Sequence, residues 1–255
     1  MINSELTQKL ESIELHAFVD HLPHSLSSHA CEPGLVCSLL EELVDRQIER
    51  NEIARQKRFR TQAKFRFPHA TVSDINFTRQ RVLTKKEVER LVKGDWVNEF
   101  THVLLLGPTG TAKTSIACAL GNSLILRGYK VLFARFQELL PELIAADKKD
   151  DRGVYKRVLR KYVNVPALII DDWATIPMTD AQRRLIFDLV EQRDGKGSLI
   201  ITSQYKPSEW HASFGDSTIA DAVLDRIVHA SNIYDFKDVE SYRKLNALQK
   251  KGAVK

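Results

Sequence analysis

The chain has 255 residues, 43% of them hydrophobic and 28% charged, which is enough apolar material for a sizeable core and argues against a chain disordered throughout. No run approaches the roughly 18 consecutive apolar residues of a membrane span, and three cysteines without a CxxC spacing argue against a disulfide framework. The opening MINSELTQKLES lacks the basic-then-apolar layout of a secretory signal, so a cytoplasmic protein without membrane contact is expected.

The first hundred residues read as mostly helical. Leu6, Leu10, Ile13 and Ala17 keep the three-four spacing of one helical face. Val36, Leu39, Leu40, Leu43 and Val44 repeat it after the Pro33-Gly34 break, and this second helix can continue as far as Pro68. His16, His21, His24, His29 and Cys31 match no standard zinc spacing. Residues 1–45 carry eight acidic side chains and one basic, whereas residues 46–100 carry fourteen basic and seven acidic. The overall charge of +5 conceals this reversal. A basic stripe including Arg55, Lys57, Arg58, Arg60, Lys64 and Arg66 suits a phosphate backbone, with salt-dependent binding through counterion release. The alternative is a solvated helix face. Phe59, Phe65 and Phe67 lie among these charges, either to stack on bases or to anchor the segment. Thr84 with Glu87 forms a capping box that opens a short helix through Val92, and an irregular linker is expected between Pro68 and Thr84.

From residue 101 short apolar runs alternate with amphipathic helices, the rhythm of a parallel α/β sheet covered on both faces. The expected strands are His102–Leu106, Lys130–Ala134, Ala167–Asp171, Ser198–Thr202 and Asn232–Phe236. Thr179 and Gln182 cap a helix that buries Leu185, Ile186, Leu189 and Val190. A second basic run, residues 148–161, includes Lys156, Arg157 and Arg160. Cys118 reads as a buried small residue, and Trp96, Trp173 and Trp210 as packing anchors.

The strongest chemical signal is VLLLGPTGTAKTS at 103–115, a phosphate loop between a buried strand and a helix. Its binding residues are Gly107, Pro108, Thr109, Gly110, Thr111, Ala112, Lys113, Thr114 and Ser115. The glycines let backbone N–H groups face an anion, Lys113 places an ammonium on the β- and γ-phosphates of ATP, and the Thr114 hydroxyl ligates Mg²⁺. Ala112 stands where the pattern has its second glycine, a change of one methyl group. The strand Ala167–Asp171 ends in two carboxylates: Asp171 suits the Mg²⁺ shell, and Asp172 suits polarisation of the attacking water.

These motifs sit in LLLGPTGTAKTSIACALG at 104–121 and LIIDDWATIPM at 168–178, and they are joined by LIITSQY at 199–205, PSEWHASFGDSTIADAVLDRIVH at 207–229 and ESYRK at 240–244. With them the chain resembles the IstB-like AAA+ ATPases, helper proteins of bacterial insertion sequences related to the DnaC helicase loader. The resemblance implies a P-loop AAA+ core behind a small α-helical N-terminal domain. With the change of rhythm at residue 101, three segments are expected: residues 1–67 for DNA or partner binding, a linker with a short helix at 68–100, and the ATPase domain at 101–255. The resemblance further implies ATP-dependent assembly of identical subunits into a ring or helix, DNA binding with little sequence readout, and delivery of a transposase. By position, Gln204 matches the polar sensor near the γ-phosphate, Arg226 the arginine finger that acts on a neighbour's ATP, and Arg243 the second sensor. Arg226 has a plainer alternative as a salt-bridge partner of Asp225 or Asp221. Two rival functions stay open, a replicative helicase loader and an ATP-binding scaffold without turnover, the latter because of Ala112 and Asp172.

Overall fold

A computed structural model describes residues 4–12, 14–28, 33–78, 80, 82–149, 152–215 and 217–241. The chain divides into two compact units, Met1–Arg58 and Phe59–Lys255. In the first unit the face from Leu6 to Ala17 is split between α1 (Ser4–Ser12) and α2 (His16–Ser28) rather than carried by one helix. Glu14 takes a left-handed φ of 61°, through which no right-handed helix continues. Gln47 closes this break from the long helix α3 (Pro33–Ala63). Its amide donates to the Glu14 carbonyl at 3.0 Å and accepts the Ala17 N–H at 2.9 Å, a donor that the first turn of α2 leaves unpaired. Arg50 pairs with Asp20, and Ala17, Leu43 and Gln47 are buried.

The helix α3 ends at Ala63, short of Pro68, because Lys64 turns left-handed at φ 55° and Phe65 is then buried. The segment expected as an irregular linker belongs to the core of the second unit instead. Ala70, Ile75 and Leu83 are buried with Val88 and Leu91 of α4 (Lys85–Lys93) and Trp96 of α5 (Asp95–Asn98). Thr84 caps α4 as the sequence predicts, accepting the Glu87 N–H at 3.2 Å while Glu87 accepts the Thr84 N–H at 2.8 Å.

The rest alternates β1 (His102–Leu106), α6 (Lys113–Leu126), β2 (Val131–Arg135), α7 (Phe136–Asp147), α8 (Arg152–Val163), β3 (Ala167–Asp171), α9 (Asp180–Arg193), β4 (Ser198–Ser203), α10 (Pro207–Phe214), α11 (Ser217–Val228) and β5 (Ser231–Asp235). Every strand pair is parallel, in the order β2-β3-β4-β1-β5. Val103 and Leu105 face α6 and the segment before it; Leu104 and Leu106 face the layer built from α7 to α11. Coverage of both faces is why β1, β2, β3 and β4 read as largely apolar runs, whereas the edge strand β5 is only partly buried. At the amino end of the sheet the buried Arg193 guanidinium donates to the carbonyls of Tyr162, Val163, Val165 and Ser198. It thereby ties the ends of α8 and α9 to the starts of β3 and β4.

Candidate functional site

Because all strands run the same way, their carboxyl ends share one edge, and the loop after each strand opens there. The phosphate loop leaves β1 through Gly107 at φ 132°, where a Cβ would lie 2.9 Å from the Phe236 backbone. Gly110 follows at φ 89°. Ala112 is left-handed at φ 67°, so its departure from glycine is conformational as well as steric, a strain of about 1 kcal/mol. Lys113 opens α6 with its ammonium 2.7 Å from the carbonyl oxygens of both Gly107 and Pro108.

Asp171 ends β3 fully buried. Its Oδ1 accepts the hydroxyls of Thr114 at 2.7 Å and Thr202 at 2.6 Å. Parallel pairing of Ile170 with Ile201 brings Thr202 beside Asp171. The Thr202 oxygen also accepts the N–H of Asp172 at 3.1 Å, so one hydroxyl orients both acidic residues. Asp171 Oδ2 has no hydrogen-bond partner and faces the Arg66 guanidinium at 3.6 Å. Asp172, itself left-handed at φ 58°, stands 3.9 Å from the guanidinium of Arg135 at the end of β2.

Arg66, Arg135 and Asp172 line a cavity of about 630 Å³ together with Lys113, Thr114, Gln204, Phe67, Ile75 and Gln80, a volume in the range of small-molecule and cofactor sites. Gln204 is held there indirectly. Trp210 donates to Ser203 Oγ and to the Tyr205 carbonyl, both at 3.1 Å, and the Ser203 hydroxyl donates to the Trp173 carbonyl at 2.9 Å. The three tryptophans are buried, and Trp173 contacts Phe136, Trp210 and Phe214 at centroid distances of 4.9, 5.8 and 6.4 Å. Cys118 is buried too, and burial pushes its thiol pKa up to about 11. A buried carboxylate oxygen without a hydrogen bond, beside a threonine hydroxyl, is the hard-oxygen set that suits Mg²⁺.

The other expected residues fall elsewhere. Arg226 packs on α9, with its guanidinium 5.6 Å from the Phe187 ring centroid, 3.6 Å from Glu191 and 3.8 Å from Asp194. Its carboxylate partners are therefore not Asp225 or Asp221, which pair with His229 and His211. The Arg226 backbone bonds to His102 at the head of β1, about 16 Å of strand from the loop at the other end. Lys64 and Arg160 meet at one groove of about 520 Å³ beside β2, with Lys130 and Lys161. Lys156 and Arg157 are exposed on α8, as is Arg60 on the last turns of α3. Arg55, Lys57 and Arg58 are exposed on the part of α3 that belongs to the first unit. Arg66 departs from this group by turning to Asp171. Of the three phenylalanines, Phe65 is buried, Phe59 is partly buried, and Phe67 lies at the cavity. Arg243, His29 and Cys31 lie outside the described residues. Sequence reasoning missed the roles of Thr202, Arg135 and Arg66 at this site. Thr202 was open to discovery as the residue that strand pairing sets beside Asp171; the two arginines carried no local signal.

Residues 8–250 match the family described as IstB-like ATP binding protein. An insertion sequence ATP-binding protein of Sinorhizobium fredii is 36% identical over 175 residues, 69% of this chain and 70% of that protein. An ATP-binding protein in an insertion sequence of Mycobacterium tuberculosis is 30% identical over 239 residues, 93% of each. Among solved structures, the DnaC helicase loader matches 67% of this chain and 99% of its own at TM-score 0.54 and 18% identity. DnaA of Aquifex aeolicus bound to AMPPCP matches 72% of this chain and 56% of its own at TM-score 0.53 and 15% identity. These structural likenesses establish the P-loop AAA+ fold. No helix among the described residues is long and apolar enough to cross a membrane.

Proposed function

The chain belongs to the IstB-like ATP-binding proteins, and from that premise we propose a DNA-binding AAA+ ATPase that helps transposition. It assembles on target DNA in the cytoplasm and recruits or stimulates a transposase. The observation that carries the ATPase part is the pair of hydroxyls, Thr114 and Thr202, on Asp171 Oδ1, which leaves Oδ2 without a hydrogen bond next to Thr114, a residue that lines one cavity with Lys113. The names of the relatives, which refer to insertion sequences and to ATP binding, support the transposition part.

The chemistry follows from these side chains. Lys113, held by loop carbonyls, presents its ammonium where phosphate oxygens offer stronger, anionic acceptors. Thr114 and Asp171 would hold Mg²⁺, which with ATP bound supplies charge neutralisation at the β- and γ-phosphates. Asp172 would orient the attacking water, with a side chain one methylene shorter than glutamate, so modest turnover is expected. Gln204 contributes a polar group at the same cavity. Arg226 lies too far along β1 to serve its own loop; as a finger it would leave Glu191 and Asp194 and serve the ATP of a neighbouring copy. Such head-to-tail contact builds a ring or a helix. Arg55, Lys57, Arg58 and Arg60 on α3, with Lys64, Lys156, Arg157 and Arg160, would hold the DNA backbone without reading bases.

ATP turnover by the purified chain with and without duplex DNA, with light scattering on the same samples, tests this reading. Turnover together with large ATP-dependent assemblies on DNA is expected, and Lys113→Ala should remove both. A monomer indifferent to ATP and DNA would overturn it.

A further inference from the structure

We propose that Arg66 makes ATP binding sensitive to the magnesium concentration, because its guanidinium and the divalent ion contend for one oxygen, Asp171 Oδ2. This rests on the reading that Asp171 serves the cation. Asp171 is wholly buried, and its Oδ1 already accepts two hydroxyls, at 2.7 and 2.6 Å. Its remaining oxygen is therefore the face through which it meets a positive charge, and Arg66 stands there at 3.6 Å. Two cations drawn to one carboxylate oxygen repel each other, so tighter hold by one weakens the other.

The two halves of the pair differ in freedom. The carboxylate is fixed by Thr114 and Thr202, whereas the Arg66 side chain is 37% exposed. Its backbone is nevertheless anchored by the two residues before it. Lys64 is held at φ 55°, and the Phe65 ring is buried so close to α6 that a Cβ on Gly121 would meet it at 2.7 Å. In the same position the guanidinium lies 5.7 Å from the centroid of the Phe67 ring at the cavity, within cation–π range, so Asp171 is not its only favourable contact. Arg66 is thus a positioning residue that shares its charge between the carboxylate and the ring.

The experiment titrates Mg²⁺ against a fixed concentration of N-methylanthraniloyl-ATP on the 255-residue chain, starting in EDTA and reading nucleotide fluorescence. Arg66→Gln should reach half-saturation at a Mg²⁺ concentration lower by roughly three- to fivefold, the scale set by one partly exposed ion pair. The shift should appear only as Mg²⁺ is added, and Arg66→Lys should restore most of the wild-type requirement. A wild-type midpoint in Arg66→Gln overturns the proposal. Equal weakening with and without Mg²⁺ also overturns it, by making Arg66 a direct contact of the nucleotide. Asp171→Asn separates the two readings: it should lose the Mg²⁺ dependence. If it keeps the wild-type midpoint, Asp171 does not serve the cation and both readings fall. If only Arg66→Gln is silent, the competition alone is refuted.

Discussion

Trp210 Nε1 stands 3.1 Å from Ser203 Oγ, and the same hydroxyl donates onward to the Trp173 carbonyl. One indole therefore ties together the turns after β3 and β4, which bear Asp172 and Gln204. Trp210→Phe removes a buried hydrogen bond to Ser203 and a part-buried one to Tyr205, at about 1–3 kcal/mol. The melting temperature should fall by roughly 3–10 °C, and ATP turnover should drop further than ATP affinity. An unchanged melting curve would show that the indole does not brace these turns.

Thr202 tests the acidic pair directly. Thr202→Val conserves shape but takes a donor from Asp171 and an acceptor from the Asp172 N–H. Leaving these groups short of a partner costs about 1–3 kcal/mol. Turnover should fall at least tenfold, on the order of a lost positioning contact, with nucleotide binding largely kept. Thr202→Ser should recover most of the rate. Full activity in the valine variant would remove Thr202 from the site.

Ala112 separates backbone strain from the loss of glycine as such. At φ 67° alanine is strained, and Ala112→Gly relieves about 1 kcal/mol while loosening the unfolded chain by a similar amount. Stability should therefore change little. Ala112→Val puts a β-branched residue in the left-handed region and should cost about 2 kcal/mol or more. Urea unfolding of both variants checks this, and equal midpoints would contradict the observed loop conformation.

His102 gives a pH signature at the far end of the sheet. Burial, with the nearby Arg193 charge, lowers its pKa from 6.5 to about 4, and its Nδ1 accepts the Leu199 N–H at 3.2 Å. Between those pH values the unfolded chain binds a proton that the folded chain does not. Stability from this group is therefore full above pH 6.5 and falls as the pH drops toward 4, by on the order of 3 kcal/mol. Urea midpoints at pH 7.5 and 5 should diverge less in His102→Gln than in the wild type. The same divergence in both would assign the acid sensitivity to other groups.

Local chemistry made much of this molecule legible in its sequence. Strands at His102–Leu106 and Ala167–Asp171, the caps at Thr84 and Thr179, and the loop before Lys113 each depend on neighbours within a few residues. Where expectation and structure differ, a backbone reversal intervenes that composition does not announce. Glu14 breaks the first helical face, and Lys64 ends α3 early. The apolar residues between Pro68 and Thr84 were too irregularly spaced to show a period, yet they join the core beside α6.

The sequence alone determined the α/β class, the anion-cradling loop and the carboxylate pair at the end of its strand, because each is written in a short contiguous stretch. Only the tertiary structure decided which distant groups meet those carboxylates. Thr202 comes to Asp171 through strand pairing, Arg135 to Asp172 from a neighbouring strand end, and Arg66 to Asp171 through the turn at Lys64. It also set Arg66 beside Asp171 at the cavity, and placed Arg226 against Glu191 and Asp194. Such meetings depend on strand order and backbone direction summed over the whole fold, which no local pattern of residues encodes.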